Sequence, residues 1–479
     1  MSDTLKKIHR TSMRILEEVG IRLHHPAICG MLKENSVRVE ADTAFFTEEQ
    51  LFHWVNQAPG RFCLSARNGR HDMLIGGANT EYAAGYGCAS IVDREGQRRE
   101  ATLSDFLCFT KLVQQCEPMH INGGILVQPC EIIDHSRALM LYATLTHSDK
   151  CAMGIPGSAE QVEQLMQLVA ITVGGTDRLR ERPRLITMIS TLSPLQIDRL
   201  ALETMSVCAR YRQPMIISPA PAAGTTGPIH LGGNIALANA EALAAIAIAE
   251  MLCPGIPVVY GLQAYAADMQ SGHISIGSPG YSVQAQYCAR LARMYGLPSR
   301  TGGANTDAKS VSVQSGYEAM MSMLVARQSQ VNLIIHAAGI LDSYGAMSYE
   351  KFMVDLEIIR MVESFMADIR TDPEDFALEE IKGVGIGGQF LTSEQTCLHW
   401  RTESFLPAIG LRGSPLHGVR PDDQIQKNIE QQKQRLLSEY RRPELPGRML
   451  AALDDYMIGA IGVEQEILDR IRSKGGSAC

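Results

Sequence analysis

The chain has 479 residues, 45% of them hydrophobic, and a formal net charge of −8. That length suffices for a barrel of about 250 residues with extensions. The acidic balance offers no basic surface for nucleic acid, and the lack of any run of about 18 consecutive apolar residues predicts no membrane span. The N-terminus, MSDTLKKIHRTSMRILEEVG, is amphipathic and charged throughout. It lacks the apolar core of a secretory signal, so a cytoplasmic address is expected. Twelve cysteines form no Cys-x-x-Cys pair and read as mostly free, buried thiols in a reducing compartment. Cys397-Leu398-His399 is a local hint of metal, but no partner cluster completes a ligand set. No zinc and no metal site are expected.

In chain order, Leu5, Ile8, Met13, Ile15, Leu16 and Val19 have helical spacing. His25-Pro26 opens a short helix to about Lys33, and Thr47 caps a third. Arg61–Ser65, Asp72–Ile75, Glu81–Asp93 and Gln97–Ala101 alternate with glycine and asparagine turns. They read as an antiparallel meander beside the main domain. Within it, Tyr82 and Tyr86 are ordinary strand tyrosines or rings that face a cationic ligand. A helix from Ser104 leads to Cys116.

Eight strand-like runs follow: His120–Val127, Lys150–Met153, Arg184–Ser190, Pro214–Ser218, Ile256–Tyr260, Pro298–Thr301, Val331–Ile335 and Gly385–Leu391. Helical patterns lie between them, at Ser136–His147, Ala159–Thr172, Gln196–Tyr211, Ile235–Leu252, Ser282–Tyr295, Ser310–Arg327 and Tyr349–Met366. Ser393–Phe405 completes the last unit. Eight alternating units fit an α/β fold of the closed (β/α)8 TIM type better than an open sheet. The expected organisation is an N-terminal helical and β-meander extension over 1–117, the barrel over 118–421, and a C-terminal helical tail over 422–479. The tail either docks on the barrel or makes an assembly contact, and a homo-oligomer is expected.

The polar residues gather in Leu297–Tyr344, just after strands, where such folds put their sites. Gly302 and Gly303 allow a sharp turn and close approach to a ligand. Thr306 or Asp307 can cap the helix expected from about Lys309. Gly383-Val384-Gly385-Ile386-Gly387-Gly388 matches GxGxxG, but no dinucleotide-binding unit surrounds it.

Gly302-Gly303-Ala304-Asn305-Thr306-Asp307-Ala308-Lys309, Gln314-Ser315-Gly316-Tyr317-Glu318 and His336-Ala337-Ala338-Gly339 resemble the trimethylamine methyltransferase family. A second block supports the resemblance: Gly388-Gln389-Phe390-Leu391, then Thr396, Arg401, Glu403 and Pro407. The match runs through most of the chain, including Glu81–Arg99. It implies a methyltransferase that passes a methyl group from a methylated amine to a partner corrinoid protein. The trimethylamine branch of the family carries pyrrolysine near the region spanning Asn332–Ile335, where this chain has ordinary residues. The resemblance therefore points to the pyrrolysine-free branch, which uses quaternary amines. Glycine betaine is the leading substrate; proline betaine, carnitine and γ-butyrobetaine stay open. The implied cofactor is a corrinoid, as cob(I)alamin, supplied by the partner. The cobalt-ligand pattern Asp-x-His-x-x-Gly is absent, since Asp134-His135 has the wrong spacing.

A methyl on quaternary nitrogen is already activated, because the nitrogen leaves as a neutral amine. No nucleophilic triad is needed, and no catalytic side chain is assigned. The enzyme must hold the methyl in line with its acceptor at about 3–3.5 Å. Trimethylammonium donates no normal hydrogen bond, so ring faces and carboxylate charge hold it. Candidate rings are Tyr260, Tyr265 and Phe390 at strand ends and Tyr86 from the meander. The polar candidates are Asp307, Gln263, Asn305 and His336. A betaine carboxylate needs donors, which His336, Gln263 or Asn305 could supply, with His336 the first expectation. Gly302, Gly303 and Gly339 shape the loops. Arg401 and Glu403 read as a structural ion pair near the last strand. Two other classes remain: a barrel lyase or aldolase, for which Lys309 is a poor Schiff-base candidate, and a non-catalytic quaternary-amine binding protein. The missing pyrrolysine predicts that trimethylamine is a poor methyl donor; comparable turnover of trimethylamine and glycine betaine with cob(I)alamin would overturn this.

Overall fold

The structure is a computed structural model that describes residues 3–414 and 417–473. Residues 415–416, and 474–479 of the expected C-terminal tail, lie outside the described residues. Eight short parallel strands form the central sheet: β1 (Glu81–Tyr82), β2 (Ile121–Gly123), β3 (Cys151–Met153), β4 (Leu185–Ile189), β5 (Met215–Ile217), β6 (Val258–Gly261), β7 (Ser299–Gly302) and β8 (Leu333–Ile335). β1 pairs with β8 through Leu333↔Glu81 and Ile334↔Tyr82. On its other side Ala83 bridges Ile121, which joins β1 to β2 and closes the ring. One helix follows each strand: α1 (Leu103–Gln115), α2 (Ser136–His147), α3 (Ala159–Val173), α4 (Arg199–Arg210), α5 (Leu231–Leu252), α6 (Pro279–Met294), α7 (Val313–Gln328) and α8 (Tyr349–Met366). This is the expected (β/α)8 barrel, with its helical tail.

One strand is a correction. Gly385–Leu391 is not in the sheet; it forms irregular turns in which Ile386 is fully exposed and Leu391 is 78% exposed. The slot between β8 and β2 belongs instead to Glu81–Tyr82, from the segment read as meander, so the barrel begins near residue 81 rather than 118. The pair Arg401–Glu403 is a second correction. Glu403 pairs with Arg370, and the Arg401 guanidinium lies 4.2 Å from the Trp400 ring centroid.

The barrel interior is packed rather than hollow. The hairpin of Arg61–Leu64 and Met73–Gly76 plugs its lower end, turning Phe62, Leu64, Met73 and Ile75 against Ile121, Cys151, Ile186, Ile216, Val259 and Leu333. Outside the ring, α5 is apolar on all sides, with a mean hydropathy of 1.7 in its most apolar window and 89% of that window buried. It is long and apolar enough to cross a membrane, but the N-terminal helices Asp3–Arg14 and Glu48–Val55 cover it. A helix covered on all sides needs no polar face. The helix Pro421–Glu439 of the tail packs on α8 and α1.

The upper end is roofed by two small sheets. Ala222–Ala223, Tyr265–Ala267 and Ile274–Ser275 form one, from the loops after β5 and β6. Ile340–Leu341, Ala346–Met347, Ser90–Val92 and Arg98–Glu100 form the other, joining the loop after β8 to the chain after β1.

Asp105, only 4% exposed, ties that second roof to the barrel wall. It accepts from Arg99 at 2.6 and 2.7 Å, from Thr102 N and Oγ1 at 2.8 Å each, and from the Tyr349 hydroxyl at 2.7 Å. Burial pushes the carboxyl up, but the bonds from Arg99, Tyr349 and Thr102 outweigh it and hold the value below 3.8. A depressed folded value gives stability above the unfolded value that is lost as pH falls through the folded one. Asp105→Asn is expected to cost about 1.5–3 kcal/mol near neutral pH. The loss should shrink as the wild type is acidified; denaturant unfolding at pH 7 and pH 3 checks both.

Candidate active site

The upper end of the barrel holds a buried arginine. Arg300 projects inward from β7 and is fully buried. Its Nη1 donates to Ser218 Oγ, just beyond β5, at 2.9 Å, and to Gln263 Oε1, just beyond β6. Its Nη2 lies 3.3 Å from His336 Nδ1, just beyond β8. Its Nε has no partner. Among the described residues no carboxylate pairs with it, and the groups that offset its burial are Tyr281, Tyr344, Cys288 and Tyr86. Burial alone pushes the guanidinium down from its ordinary value, yet arginine stays charged in proteins. A charge of this kind is normally paired when buried.

Its neighbours are set by that charge. Arginine only donates, so His336 Nδ1 accepts and the ring is neutral. Burial, then the Arg300 charge, push His336 well below 6.5, while a hydrogen bond with the Tyr86 backbone acts the other way. Gln263 gives its oxygen to Arg300 and its amide nitrogen to the Tyr344 hydroxyl. The Tyr344 ring lies 4.6 Å from His336, centroid to centroid. Tyr344 ends a run of three residues with positive φ, Asp342 (52°), Ser343 (49°) and Tyr344 (74°), and His336 itself has φ 58°. Non-glycine residues in that region are strained, and such strain persists where surrounding bonds over-determine it.

Two further groups at this end of the barrel lack well-formed partners. The Tyr86 hydroxyl is buried without a partner; its ring packs against Gly124, whose φ of 67° and lack of a side chain admit the ring. Asn305 is fully buried; its carboxamide has the Tyr281 hydroxyl as a neighbour, and neither of its polar atoms completes a well-aligned hydrogen bond. It sits over Gly302, where an added Cβ would come within 2.5 Å of the Tyr281 hydroxyl. That hydroxyl accepts from Gly302 N at 2.7 Å. Buried polar groups are nearly always paired, so orphans clustered at one place mark a ligand site.

Helices behind the site hold its loops. Glu318 on α7 accepts from Thr306 Oγ1 at 2.6 Å and Asp307 N at 2.8 Å. Asp307 in turn accepts from Ser275 Oγ at 2.7 Å, Ile276 N at 2.8 Å and Ser343 Oγ at 2.7 Å, joining the loops after β6, β7 and β8. The wholly buried pair Lys351–Asp355 on α8 also reaches two loops. Lys351 donates to Ala304 O at 3.3 Å, and Asp355 accepts from Gly339 N at 2.8 Å. Gly303 leaves room for Ile334 and Gly339 for Met347, so these glycines permit close packing.

The expected residues divide accordingly. His336 and Gln263 bond Arg300 and Tyr86 lies near enough to feel its charge, while Asn305 sits above, against Gly302 and the Tyr281 hydroxyl, and Tyr265 lies near enough to act on Tyr344. Asp307 lies behind them and ties loops. It caps no helix, and neither does Thr306: α7 begins at Val313, with Ser312 as its cap in a reciprocal box with Ser315. Tyr260 is a correction. It faces out of the barrel, where its hydroxyl donates to Asn239 on α5 at 2.6 Å. Phe390 is also a correction; it lies in the exposed turns outside the sheet, not at a strand end. Lys309 is exposed and paired with Asp342. The sequence reading missed Arg300, Tyr344, Tyr281 and Ser218. The available signal was an arginine within a predicted barrel strand, because arginine is rarely fully buried without a reason.

The barrel, with a polar and aromatic site at the C-terminal ends of its strands, defines the enzyme class that builds its chemistry there. Residues 1–459 match the family model "Trimethylamine methyltransferase (MTTB)". The chain belongs to the trimethylamine methyltransferase family and is a methyltransferase of the methylamine type. It is 37% identical over 456 residues to the glycine betaine methyltransferase of Desulfitobacterium hafniense (strain Y51), covering 95% of each chain. The trimethylamine methyltransferase MttB of D. hafniense (strain DSM 10664 / DCB-2) is 27% identical over 84% of this chain and 82% of its own. MttB2 of Methanosarcina mazei is 29% identical over 82% of this chain and 81% of its own. The crystal structure of the Methanosarcina barkeri monomethylamine methyltransferase (MtmB) aligns with 98% of this chain and 93% of its own, at a TM-score of 0.49 and 10% identity.

The loop ties make a direct prediction. Asp307→Ala removes three bonds to a carboxylate, so a loss of about 1.5–3 kcal/mol per well-formed bond is the upper scale. The variant should melt below the wild type and show raised KM, because Ser343 and hence Tyr344 are released. Unchanged melting and kinetics would leave Asp307 without this tying role.

Proposed function

We propose that the chain transfers a methyl group from a carboxylate-bearing quaternary amine, glycine betaine first, to the cobalt(I) of a corrinoid held by a partner protein in the cytoplasm. The observation that carries this reading is Arg300: a buried guanidinium with no carboxylate partner among the described residues, in a site walled by tyrosines. A substrate carboxylate supplies the missing counter-charge. Trimethylamine has none to give, and its own positive form would meet Arg300 as a like charge. The 37% identity to a glycine betaine methyltransferase supports the same substrate class. Proline betaine, carnitine and γ-butyrobetaine share the carboxylate and differ in how far it lies from the nitrogen.

In this reading Arg300 Nε and the Asn305 amide receive the carboxylate. His336 and Gln263 fix the guanidinium plane, and His336 acts through Arg300 rather than on the substrate. Rings of Tyr86, Tyr265 and Tyr344 offer faces to the trimethylammonium group. Holding the carboxylate fixes where the methyl points, which is the positioning that in-line displacement requires. The carbon–nitrogen bond breaks with its electron pair going to nitrogen, which leaves as neutral dimethylglycine nitrogen. The cobalt(I) supplies the pair for the new carbon–cobalt bond. No proton moves in the step. The acceptor must approach from above, where loops after the strands surround the mouth.

Arg300→Gln tests the assignment. Loss of a charge-assisted bond to the substrate predicts at least a ten- to hundredfold weaker binding of glycine betaine, from about 1.5–3 kcal/mol. Binding of the methyl ester of betaine, a cation without a carboxylate, should change little or improve. Equal losses for the acid and the ester, with the fold intact by circular dichroism, would remove the carboxylate from Arg300. A wild type that binds betaine but transfers no methyl to cob(I)alamin would favour a binding protein.

A further inference from the structure

The mouth of the barrel is divided in polarity by strand. The three side chains that bond Arg300 come from one half of the ring: Ser218 follows β5, Gln263 follows β6 and His336 follows β8. The other half is apolar. Inward-facing side chains of β2, β3 and β4 are Ile121, Cys151, Met153, Ile186 and Met188, which pack together in the barrel interior. Ile125, just beyond β2, packs against the same group. Tyr86 stands at the seam between the halves. Its ring and the Met153 side chain both crowd the space over Gly124. Gly87 N donates to Ile125 O at 2.7 Å, and the Tyr86 hydroxyl lies near enough to Arg300 to feel its charge. A substrate whose carboxylate is held at Arg300 therefore turns its other end toward β2–β4.

Within the apolar half, Met188 differs from its neighbours. It alone on β4 is partly exposed, while Thr187 and Ile189 on either side are 1% exposed and Ile186, the inward residue below it, is fully buried. Its side chain packs on the interior group, which the hairpin of Phe62 and Met73 plugs from below. Its free surface thus opens upward, into the mouth. Register sets it close to the charged half. Met188 pairs with Ile216 on β5, and the next inward position on that strand is Ser218, since inward residues alternate. Ser218 N donates to Ile189 O at 2.8 Å.

Given Arg300 as the anchor of the substrate carboxylate, the role assigned to it under the proposed function, we propose that Met188 is the residue that sets substrate length. Its side chain forms part of the wall across the mouth from β7 and limits how many carbons separate the carboxylate from the quaternary nitrogen. γ-Butyrobetaine carries two more methylenes there than glycine betaine. With the carboxylate fixed, each added methylene pushes the trimethylammonium group toward Met188, so the wild-type site favours the shorter acid. Truncating Met188 opens space at that wall, because the surroundings of a shortened side chain relax only in part. A single methylene in an apolar pocket is worth about 10- to 200-fold in discrimination.

Titration calorimetry on the full-length protein, with glycine betaine and γ-butyrobetaine as ligands, tests this. The wild type should bind glycine betaine at least tenfold more tightly. Met188→Ala should move the ratio of affinities at least tenfold toward γ-butyrobetaine. Met188→Leu, which keeps the volume, should hold the ratio within about threefold of the wild type. Should the alanine variant not fold, Met188→Val reads the same ratio with a milder truncation. A wild type that does not favour glycine betaine, or a ratio unmoved by truncation, would overturn the role of Met188 and leave Arg300 as the anchor. A wild type that binds neither acid, or an Arg300→Gln variant that binds both undiminished, would instead remove the anchor, and the length limit with it.

Discussion

The site depends on one buried positive charge. Arg300 is enclosed by the barrel, and no carboxylate among the described residues answers it. Everything around it is arranged by what a guanidinium can and cannot do. It donates and never accepts, so Ser218 Oγ, Gln263 Oε1 and His336 Nδ1 must all turn acceptors toward it. That choice fixes the histidine tautomer and points the Gln263 amide nitrogen at Tyr344. Removing a charge from water is costly, and the tyrosines and amides offset it in part. The remainder is a standing preference for an anionic guest.

The charge also explains how heavily the surrounding loops are tied. A recognition site is useful only if its donors stay within a fraction of an ångström of their places. Glu318 and Asp307 bind three successive loops from behind, and Lys351–Asp355 binds two of them from below. These are buried charges, which seldom add much net stability but do fix geometry where each partner is fully hydrogen-bonded. The left-handed run of Asp342, Ser343 and Tyr344 is held within the same mesh. Part of the folding energy is thus committed to keeping one tyrosine in a place its backbone would not choose.

The barrel was readable because its signals repeat. Apolar runs alternate with helical patterns for most of the chain, and the helices lie within a few residues of where that pattern puts them. β1 was not readable as a barrel strand, because two residues set among glycine and alanine turns carry no periodicity of their own. Gly385–Leu391 misled for the opposite reason: its large apolar residues look like a buried strand but lie on the surface. Within the site, parity along the strands separates lining from backing positions. Val259 packs inside the barrel and Tyr260 outside. The same parity on β7 puts Arg300 inward. The polar loops are conspicuous in the sequence because they are rich in glycine and polar groups, while Arg300 lies within the strand below them.

Closure of the ring through β1 has a consequence for how the chain is made. The first strand leaves the ribosome near residue 81, but its partner β8 ends at residue 335. At about 5–20 residues per second, some 250 residues take on the order of 12–50 s to synthesise. During that interval both edges of the growing sheet are open, and an open edge is a template for pairing with another chain. Contacts so distant in sequence also slow folding, because the loop they close is long. The nascent chain is therefore most exposed to misassembly late in translation, and a gene cut before β8 leaves seven strands with two free edges instead of a barrel.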